Sequence, residues 1–309
     1  MEAPLISVLV VSYRNVYGLY ETIKSVCLQS YENIELIISD DGSPEFSVEL
    51  PKLKKFVEEN NRGNITSIVF NSIPVNVGTV KNLNRAIDLS TGKYVKTIAA
   101  EDVFTHRDVL LHFVEYMQES SYKVVFGKIR GVKQDGSYVY NLPSCESDYD
   151  LLRSYTQKEM LNRLFKSNCL PGVGEFIDAD IFKTFGKFPE EIRLIEDYPF
   201  WLILSLRDVQ FGFIDEVMVD YKLSGVSSSG LYTEAFMDDL KKIHDLYIFP
   251  NDNRYGRFQK LYNHLKIAGL NYYTDKAKVS NLGRLKQLIV TIKYLPFALY
   301  DFIRRVGSR

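Results

Sequence analysis

The amino-acid sequence predicts an α/β fold, in which a parallel sheet carries helices on both faces. Short, continuously apolar segments alternate with segments whose apolar residues recur at helical spacing, and the connections between them are short. Continuously apolar strands are typical of a sheet that is covered on both faces. With 309 residues, the chain is long enough for about two structural units.

The predicted elements alternate regularly in the N-terminal third of the chain. Strands are expected there at 6–11, 34–38, 65–71 and 94–99, with helices at 20–29, 53–60 and 80–89. Later strands are expected at 124–132, 137–141, 211–214 and 217–221, and later helices at 108–117, 151–165 and 198–206. The turn Asp135-Gly136 indicates a hairpin between the first two of these strands. After the loop-like segment 224–230 the chain becomes helical, so we divide it into 1–230 and 231–309.

The composition excludes several classes of protein. Lysine and arginine number 38 against 39 aspartate and glutamate, and this net charge of −1 does not indicate a nucleic-acid-binding protein. Cys27, Cys145 and Cys169 cannot all pair, and none lies in a CxxC motif, which favours a reducing compartment over a disulfide framework or a structural zinc site. No basic region precedes the N-terminal apolar run, and no apolar run approaches ~18 residues. We therefore expect a cytoplasmic protein.

Several enzyme motifs are absent from the sequence. There is no GxxxxGK[ST] phosphate-binding loop, no GxSxG nucleophile elbow and no HExxH zinc motif. The GxG at 172–174 follows no convincing strand and lacks the third glycine of a dinucleotide-binding fingerprint. These absences disfavour P-loop nucleotidases, dehydrogenases and most hydrolases.

Acidic residues follow two of the predicted strands, at the sheet edge where α/β proteins bind ligands. Glu101-Asp102 offers the hard carboxylate oxygens that Mg²⁺ or Mn²⁺ needs. Alternatively, these two acids belong to the start of the next helix, where the helix dipole favours them. Asp40-Asp41-Gly42-Ser43 offers carboxylates to a base or ribose, although the same residue types also form plain turns.

A third acidic pair, Glu196-Asp197, precedes the apolar segment that contains Trp201. An apolar environment raises a carboxyl pKa, which favours a general base; helix capping is the alternative interpretation. Tyr13, directly after the first strand, is either a base-stacking or a packing residue.

Taken together, six segments in this order resemble the family-2 inverting glycosyltransferases over about residues 5–230. This family has a nucleotide-diphospho-sugar transferase fold (GT-A), a Rossmann-like mixed and mostly parallel sheet flanked by helices. The segments correspond to the opening strand, the nucleotide-binding acidic turn, the segment before the metal motif, the metal motif, the catalytic base and the late loop over the diphosphate. They lie at 7–13, 35–43, 76–95, 98–104, 196–201 and 221–229.

The resemblance implies roles for individual residues. Asp197 would be the catalytic base for one in-line displacement, which inverts the configuration of the sugar. Glu101 and Asp102 would hold a divalent cation, Mn²⁺ or Mg²⁺, while Glu196 and Trp201 would lie on the acceptor side. The remaining implied contacts are to the nucleotide-sugar donor, and they come from Ser12, Tyr13, Asn15, Asp40, Asp41, Asn76, Gly78, Lys81, Glu101 and Lys222.

The sequence departs from the family pattern at several positions. Ala99 replaces the first aspartate of the metal motif, Lys222 and Ser224 replace the usual arginine and histidine of the late loop, and Val11 replaces a frequent proline. A lysine still supplies charge to a phosphate, but without the planar fork of arginine. These departures leave open an alternative, a catalytically inactive sugar-nucleotide-binding partner subunit of a glycosyltransferase complex.

The C-terminal segment from 283 to 309 is basic and amphipathic. It contains six lysines and arginines against Asp301 alone, and its apolar residues recur at helical spacing. This pattern predicts a helix that lies on an anionic membrane surface, although packing on the catalytic domain is the alternative. With the family resemblance, it implies a lipid-linked or oligosaccharide acceptor at the inner face of a bacterial membrane, in cell-surface polysaccharide synthesis. We expect a UDP-sugar donor, peripheral membrane association and an unknown oligomeric state.

Overall fold

A computed structural model describes residues 3–170, 172–223, 233–278, 284–295 and 297. The chain forms two compact units, the first made of Met1–Leu164 and Asn168–Leu231, the second of Phe165–Ser167 and Tyr232–Arg309. The loop expected at 224–230 and the basic end of the chain beyond 297 lie outside the described residues.

In its described residues, the first unit is built around a mixed sheet of nine strands. In chain order these are β1 (Ile6–Ser12), β2 (Ile34–Asp40), β3 (Ile65–Ser72), β4 (Tyr94–Ala99), β5 (Val103–Phe104), β6 (Val124–Val132), β7 (Tyr138–Leu142), β8 (Glu175–Asp178) and β9 (Gly212–Lys222). Their order across the sheet is β3-β2-β1-β4-β8-β6-β9-β5, and β7 pairs with β6. The long pairings β1–β2, β2–β3, β1–β4 and β6–β9 are parallel, whereas those of β5, β7 and β8 are antiparallel.

Helices flank this sheet. Those of the first unit are α1 (Gly18–Cys27), α2 (Phe46–Asn60), α3 (Thr79–Leu89), α4 (Val109–Glu119), α5 (Glu146–Arg153), α6 (Gln157–Lys166), α7 (Asp180–Phe185) and α8 (Asp197–Leu206). The last residues of α6 belong to the second unit. The central strands β1 and β2 are buried along almost their whole length, which confirms the prediction of a sheet covered on both faces.

Three local differences from the sequence-based expectations have a physical cause. The helix expected at 151–165 is divided into α5 and α6, because Thr156 and Glu159 form a capping box that starts a new helix. The two strands expected at 211–214 and 217–221 are one strand, β9, with a bulge at 215–216. The short strands β5 and β8 were not predicted, since two to four residues carry no periodicity.

The second unit is helical in its described part. It contains α9 (Glu234–Ile243), α10 (Arg257–Lys278) and α11 (Arg284–Lys293), and short segments of π- and 3₁₀-helix connect α9 to α10. The ring of His264 stacks on Phe249, and burial lowers the pKa of His244 to about 4. Within the described residues, every helix is too short or too polar to cross a bilayer.

Candidate active site

The polar residues of interest lie where β1, β2 and β4 end together. In the parallel register Ser12 is opposite Asp40, and Val11 is opposite Ala99. The backbone N–H of Ala100 donates to Val11 O at 2.9 Å, and that of Asp41 donates to Ser12 O at 2.9 Å. The acidic turn after β2 and the segment after β4 therefore lie on either side of the end of β1, as expected at the carboxyl edge of a parallel sheet.

Asp40 organises the acidic turn. Its carboxylate is fully buried and accepts hydrogen bonds from the hydroxyls of Ser12, Ser43 and Ser72 at 2.6–3.3 Å. It also accepts the backbone N–H groups of Gly42 and Ser43. So many donors stabilise a buried charge without a cation. Asp40 thus stabilises the turn through its own hydrogen bonds.

Asp41 fixes the loop that precedes α3. Its Oδ2 accepts hydrogen bonds from Asn76 Nδ2 at 2.7 Å and Gly78 N at 2.9 Å, and its Oδ1 accepts Val77 N at 3.0 Å. Gly78 has φ +96°, and a Cβ there would lie 2.6 Å from Arg193 Cγ, so this position needs glycine. Arg193 Nη2 in turn donates to Asn76 Oδ1 at 3.0 Å, which connects the loop to the segment before Glu196-Asp197.

Glu101, between β4 and β5, has a strained backbone. Its φ is +84°, a region that L-residues rarely adopt, and such strain is concentrated at functional sites. Its N–H donates to Gly18 O and Thr22 Oγ1, and its Oε2 accepts Gln134 Nε2 at 3.2 Å. Since β5 separates Glu101-Asp102 from α4, which begins at Val109, this pair does not cap that helix.

Asp102 joins the metal-motif segment to the end of β9. Its Oδ1 accepts the backbone N–H of Lys222 at 2.9 Å, and the Lys222 ammonium lies 4.0 Å from Glu21 Oε2. Burial raises the pKa of Asp102 to about 7. Its second oxygen, Oδ2, is buried and has no hydrogen-bond partner among the described residues. A buried carboxylate oxygen of this kind needs either a proton or a cation.

A buried ion pair lies beneath the site. Lys96 is fully buried in β4, with its Nζ 3.7 Å from Glu175 Oε1 and 2.8 Å from the carbonyl oxygen of Val173. Burial lowers the pKa of Lys96, while Glu175 and Asp102 oppose that shift. Burial raises the pKa of Glu175 to about 6, against the effect of the Lys96 charge. Lys96 thus provides the buried positive charge for two carboxylates.

Glu196 and Asp197 lie at the start of α8, and they differ in their surroundings. Asp197 accepts hydrogen bonds from Asn168 Nδ2 at 2.8 Å and Tyr198 N at 2.6 Å, and desolvation still raises its pKa to about 6. Desolvation and the neighbouring Asp197 raise the pKa of Glu196 further, to about 8. Glu196 forms no capping hydrogen bond, so the helix-capping interpretation fails for it. At neutral pH, the pair therefore holds one proton and one negative charge.

Glycine makes room for the Asp197 carboxylate. The 3₁₀ turn at Gly172–Gly174 passes so close that a Cβ on Gly172 would lie 2.9 Å from Asp197 Oδ2. The GxG of the sequence therefore serves close backbone approach to an acid, and not phosphate binding in a dinucleotide fold.

The predicted residues are linked by hydrogen bonds, one ion pair and electrostatic interactions between neighbouring charges. Asp41 is joined to the 193–197 segment through Asn76 and Arg193. Glu196 is close enough to Glu175 for that charge to raise its pKa, and Glu175 pairs with Lys96, which faces Asp102. The carboxylates predicted from distant segments thus belong to one region of the first unit.

The other predicted contact residues differ in accessibility. Tyr13 is 43% exposed with its ring beside Arg14, and Lys81 is exposed at the start of α3. Asn15 is bound to the protein itself, to Gly18 N and to Ala100 O. Trp201 is fully buried against Phe126, Phe200 and Phe211. Because no part of its ring reaches the surface, we assign Trp201 to the core.

Four residues of the site were not predicted: Lys96, Asn168, Glu175 and Arg193. Lys96 had a signal in the sequence, a charged residue within the apolar strand 94–99, which a buried strand tolerates only with a partner. The partner Glu175 follows an irregular glycine-containing segment, and it is brought opposite β4 only by the antiparallel strand β8. Asn168 and Arg193 lie in loops, and loop residues show no periodic pattern from which their position could be predicted.

Comparison with protein families and solved structures identifies the family and the fold. The model of glycosyl transferase family 2 matches residues 7–186. An uncharacterized glycosyltransferase of Haemophilus influenzae is 24% identical over 307 residues, which cover 97% of this chain and 91% of the relative. Another from Methanocaldococcus jannaschii is 23% identical over 225 residues, 72% of each chain.

Two solved structures share the fold. Staphylococcus aureus TarS 1–349 in complex with UDP-GlcNAc superimposes with a TM-score of 0.63 at 19% identity, over 95% of this chain and 81% of TarS 1–349. The mannosyltransferase PcManGT of Pyrobaculum calidifontis, in complex with GDP-Man and Mn²⁺, gives 0.58 at 15% identity, over 100% and 84% of the chains. The resemblance found in the sequence is confirmed: this chain belongs to glycosyl transferase family 2 and has the GT-A fold.

Proposed function

We propose that the protein is an inverting glycosyltransferase that moves a sugar from a nucleotide-diphospho-sugar to an acceptor hydroxyl. The donor that we propose is a UDP-sugar. The observation that carries this proposal is the Glu196-Asp197 pair, in which Asp197 is held by Asn168 and has a pKa raised only to about 6. A carboxylate with this pKa is ionised at neutral pH and still basic enough to accept a proton in a transition state.

The reaction is a single displacement. Asp197 accepts the proton of the acceptor hydroxyl while the hydroxyl oxygen forms a bond to the anomeric carbon of the donor. The bond between that carbon and the diphosphate oxygen breaks with its electrons, and the nucleoside diphosphate leaves. Because the attack is in line, an α-linked donor gives a β-linked product. The carboxyl of Glu196, neutral at pH 7, adds no second negative charge beside the attacking oxygen.

Exposed residues, together with residues at the carboxyl edge of the sheet, would bind the nucleotide-sugar donor. Tyr13 offers an exposed ring to the base, and Asp41 holds the loop 76–78 in place beside it. Lys81 and Lys222 supply positive charge to the diphosphate, which compensates in part for the missing arginine of the late loop. The structural neighbours TarS and PcManGT were solved with UDP-GlcNAc and with GDP-Man, and this supports a nucleotide-sugar donor.

The side chains of Glu101 and Asp102 are of the chemical type that binds a divalent cation. Both offer carboxylate oxygens, and Asp102 Oδ2 has no hydrogen-bond partner among the described residues. Mn²⁺ or Mg²⁺ held there would neutralise charge on the leaving diphosphate. The φ of +84° at Glu101 is a conformation that L-residues rarely adopt, and such strain is concentrated at functional sites. Mn²⁺ is present in the PcManGT complex, which supports a cation in this fold.

A donor panel tests the proposal. We expect slow hydrolysis of one or a few sugars among UDP-, GDP- and dTDP-sugars in the presence of Mn²⁺, measured as released nucleoside diphosphate. Chelation by EDTA should lower that rate at least tenfold, and Glu101→Gln should raise the Mn²⁺ concentration needed for half-maximal rate about tenfold. Glu21→Gln, which removes an exposed acid beside Lys222, is the matched control and should keep the wild-type requirement. Tight donor binding with no turnover of any sugar would support the inactive binding subunit instead.

We propose further that the acceptor is lipid-linked or an oligosaccharide and that the protein reaches it at an anionic membrane surface. One face of α11 supports this, since Leu288, Ile289 and Ile292 on the helix and Leu295 just after it are 54–60% exposed at helical spacing. Such a face, in a segment with six basic residues and one acidic residue, is typical of helices that lie in the membrane interface.

Vesicle flotation tests the membrane proposal. The full chain should float with vesicles that contain phosphatidylglycerol, and a variant truncated after Ser280 should remain in the dense fraction. Neutral phosphatidylcholine vesicles and high salt should both weaken flotation, since part of the attraction is electrostatic. Equal flotation of the truncated and full-length proteins would exclude the C-terminal segment as the anchor.

A further inference from the structure

Two histidines and one glutamate converge at a place that the transfer reaction does not use. His106 follows β5, His112 lies in α4, and Glu216 lies in β9. His106 Nε2 is 3.0 Å from Glu216 Oε1, and His112 Nδ1 is 2.8 Å from Glu216 Oε2. One ligand atom from each residue lies within 4.8 Å of the other two. We propose that these residues form a binding site for a borderline transition-metal ion, Zn²⁺ in the first instance.

The geometry favours a metal ion. In tetrahedral Zn²⁺ sites with bonds of about 2.0–2.1 Å, neighbouring ligand atoms are about 3.3 Å apart, so small rotations of these side chains suffice. His106 Nε2 is enclosed and makes no hydrogen bond within the described part of the chain, although Glu216 is near. Its other ring nitrogen, Nδ1, accepts a long hydrogen bond of 3.3 Å from Asp108 N. The ring proton can therefore move to Nδ1, which frees Nε2 for a metal ion, at the cost of only this weak hydrogen bond.

The fold holds the three ligands in place. The bulge at 215–216 interrupts the pairing of β9 with β6 and allows Glu216 to point toward α4. The N–H of Thr105 donates to Met218 O at 3.1 Å, so the residue before His106 is anchored to the same strand. All three side chains are about one-third exposed, and His106 also lines an open pocket of about 420 Å³, so that an ion can enter from solvent.

The ligand types separate this site from the catalytic one. Two imidazoles and one carboxylate select Zn²⁺ and its neighbours, whereas Mg²⁺ and Mn²⁺ prefer all-oxygen sites. Glu216 and Lys222 are six positions apart in β9, which corresponds to about 20 Å along a strand. The cysteine pattern, which disfavoured a structural zinc site, does not bear on ligands of this kind. A bound ion would join α4 to β9 and stabilise the β5–β9 pairing next to Asp102.

Metal uptake by the tag-free, full-length protein tests the site. After removal of metals with EDTA, equilibrium dialysis against Zn²⁺ should show one more equivalent in the wild type than in His112→Gln or Glu216→Gln. His264→Gln, which removes an exposed histidine in the second unit, should match the wild type. Saturating Zn²⁺ should raise the Tm of the wild type by about 5 °C and leave that of His112→Gln unchanged. The variants must show wild-type circular dichroism without metal.

A second measurement covers the case in which a variant does not fold. Co²⁺ bound by two imidazoles and a carboxylate in a tetrahedral site absorbs visible light much more strongly than hydrated Co²⁺. We expect this absorption in the wild type and its loss when excess Zn²⁺ displaces Co²⁺. Equal zinc uptake by the wild type and His112→Gln, or wild-type protein with neither a Tm shift nor the Co²⁺ absorption, would overturn the proposal. In that case Glu216 only pairs with the two histidines.

Discussion

Asp197→Asn should lower the rate of donor hydrolysis by a factor of about 10³ while the Kd for the nucleoside diphosphate changes less than twofold. Removal of a general base costs about 10²–10⁴ in rate. The substitution is isosteric, and the single oxygen of asparagine keeps one of the two hydrogen bonds that the carboxylate accepts from Asn168 and Tyr198. An unchanged Kd then assigns the loss of rate to the chemical step. Released diphosphate measures the rate, and calorimetric titration with the diphosphate measures binding.

Glu196→Gln is the matched control for this experiment. The pKa of Glu196 is raised to about 8, so its carboxyl is neutral at pH 7, and glutamine imitates that state. We expect a rate within about threefold of the wild type. Full activity in Asp197→Asn would remove Asp197 from the mechanism, and an equal loss in both variants would assign the base function to the pair.

The pH dependence follows from the same pair. A base must be deprotonated to act, so the wild-type rate should rise with pH through about 6, the raised pKa of Asp197. Glu196→Gln should keep this acidic limb, because Glu196 carries no charge in that range.

The strand–helix alternation predicted the parallel half of the sheet, and the ends of β1, β2 and β4 agree with the predicted strands to within two residues. These segments are long and strongly apolar, and a parallel sheet brings their carboxyl ends to one edge, so the acidic residues after β2 and β4 could be placed together. The antiparallel strands β5 and β8 could not be predicted, because their pairing depends on tertiary contacts that leave no periodic signal.

The site likewise combines features that have a local sequence signal with features that depend on tertiary contacts. Residue type and order pointed to Asp41, Glu101 and Asp197, but they could not show that Asp40 is saturated with hydrogen bonds or that Trp201 is enclosed by aromatic rings. A carboxylate that organises a turn and one that meets a ligand look alike in a sequence. They differ in the number of donors around them, which depends on loops such as 76–78 and on residues more than a hundred positions away.

Lys96→Met should destabilise the protein by about 3–5 kcal/mol, because it leaves Glu175 buried without its partner charge. The loss should depend on pH. The pKa of Glu175 is already raised from 4.5 to about 6, and without the ammonium it rises further. A carboxyl with a raised pKa contributes stability below its unfolded pKa of 4.5 and loses it as the pH rises through the folded value. The variant should therefore be far less stable than the wild type at pH 8 and closer to it at pH 5.

Urea denaturation at the two pH values measures this effect. Lys93→Met, which removes an exposed lysine directly before the same strand, should change stability by less than about 0.5 kcal/mol at either pH. The double variant Lys96→Met/Glu175→Gln should recover much of the stability lost at pH 8, since it buries no unpaired charge. Donor hydrolysis should remain impaired in the double variant, because Asp102 also loses the positive charge that it faces. Equal losses for Lys96→Met at pH 5 and pH 8 would show that packing, and not charge, is what Lys96 contributes.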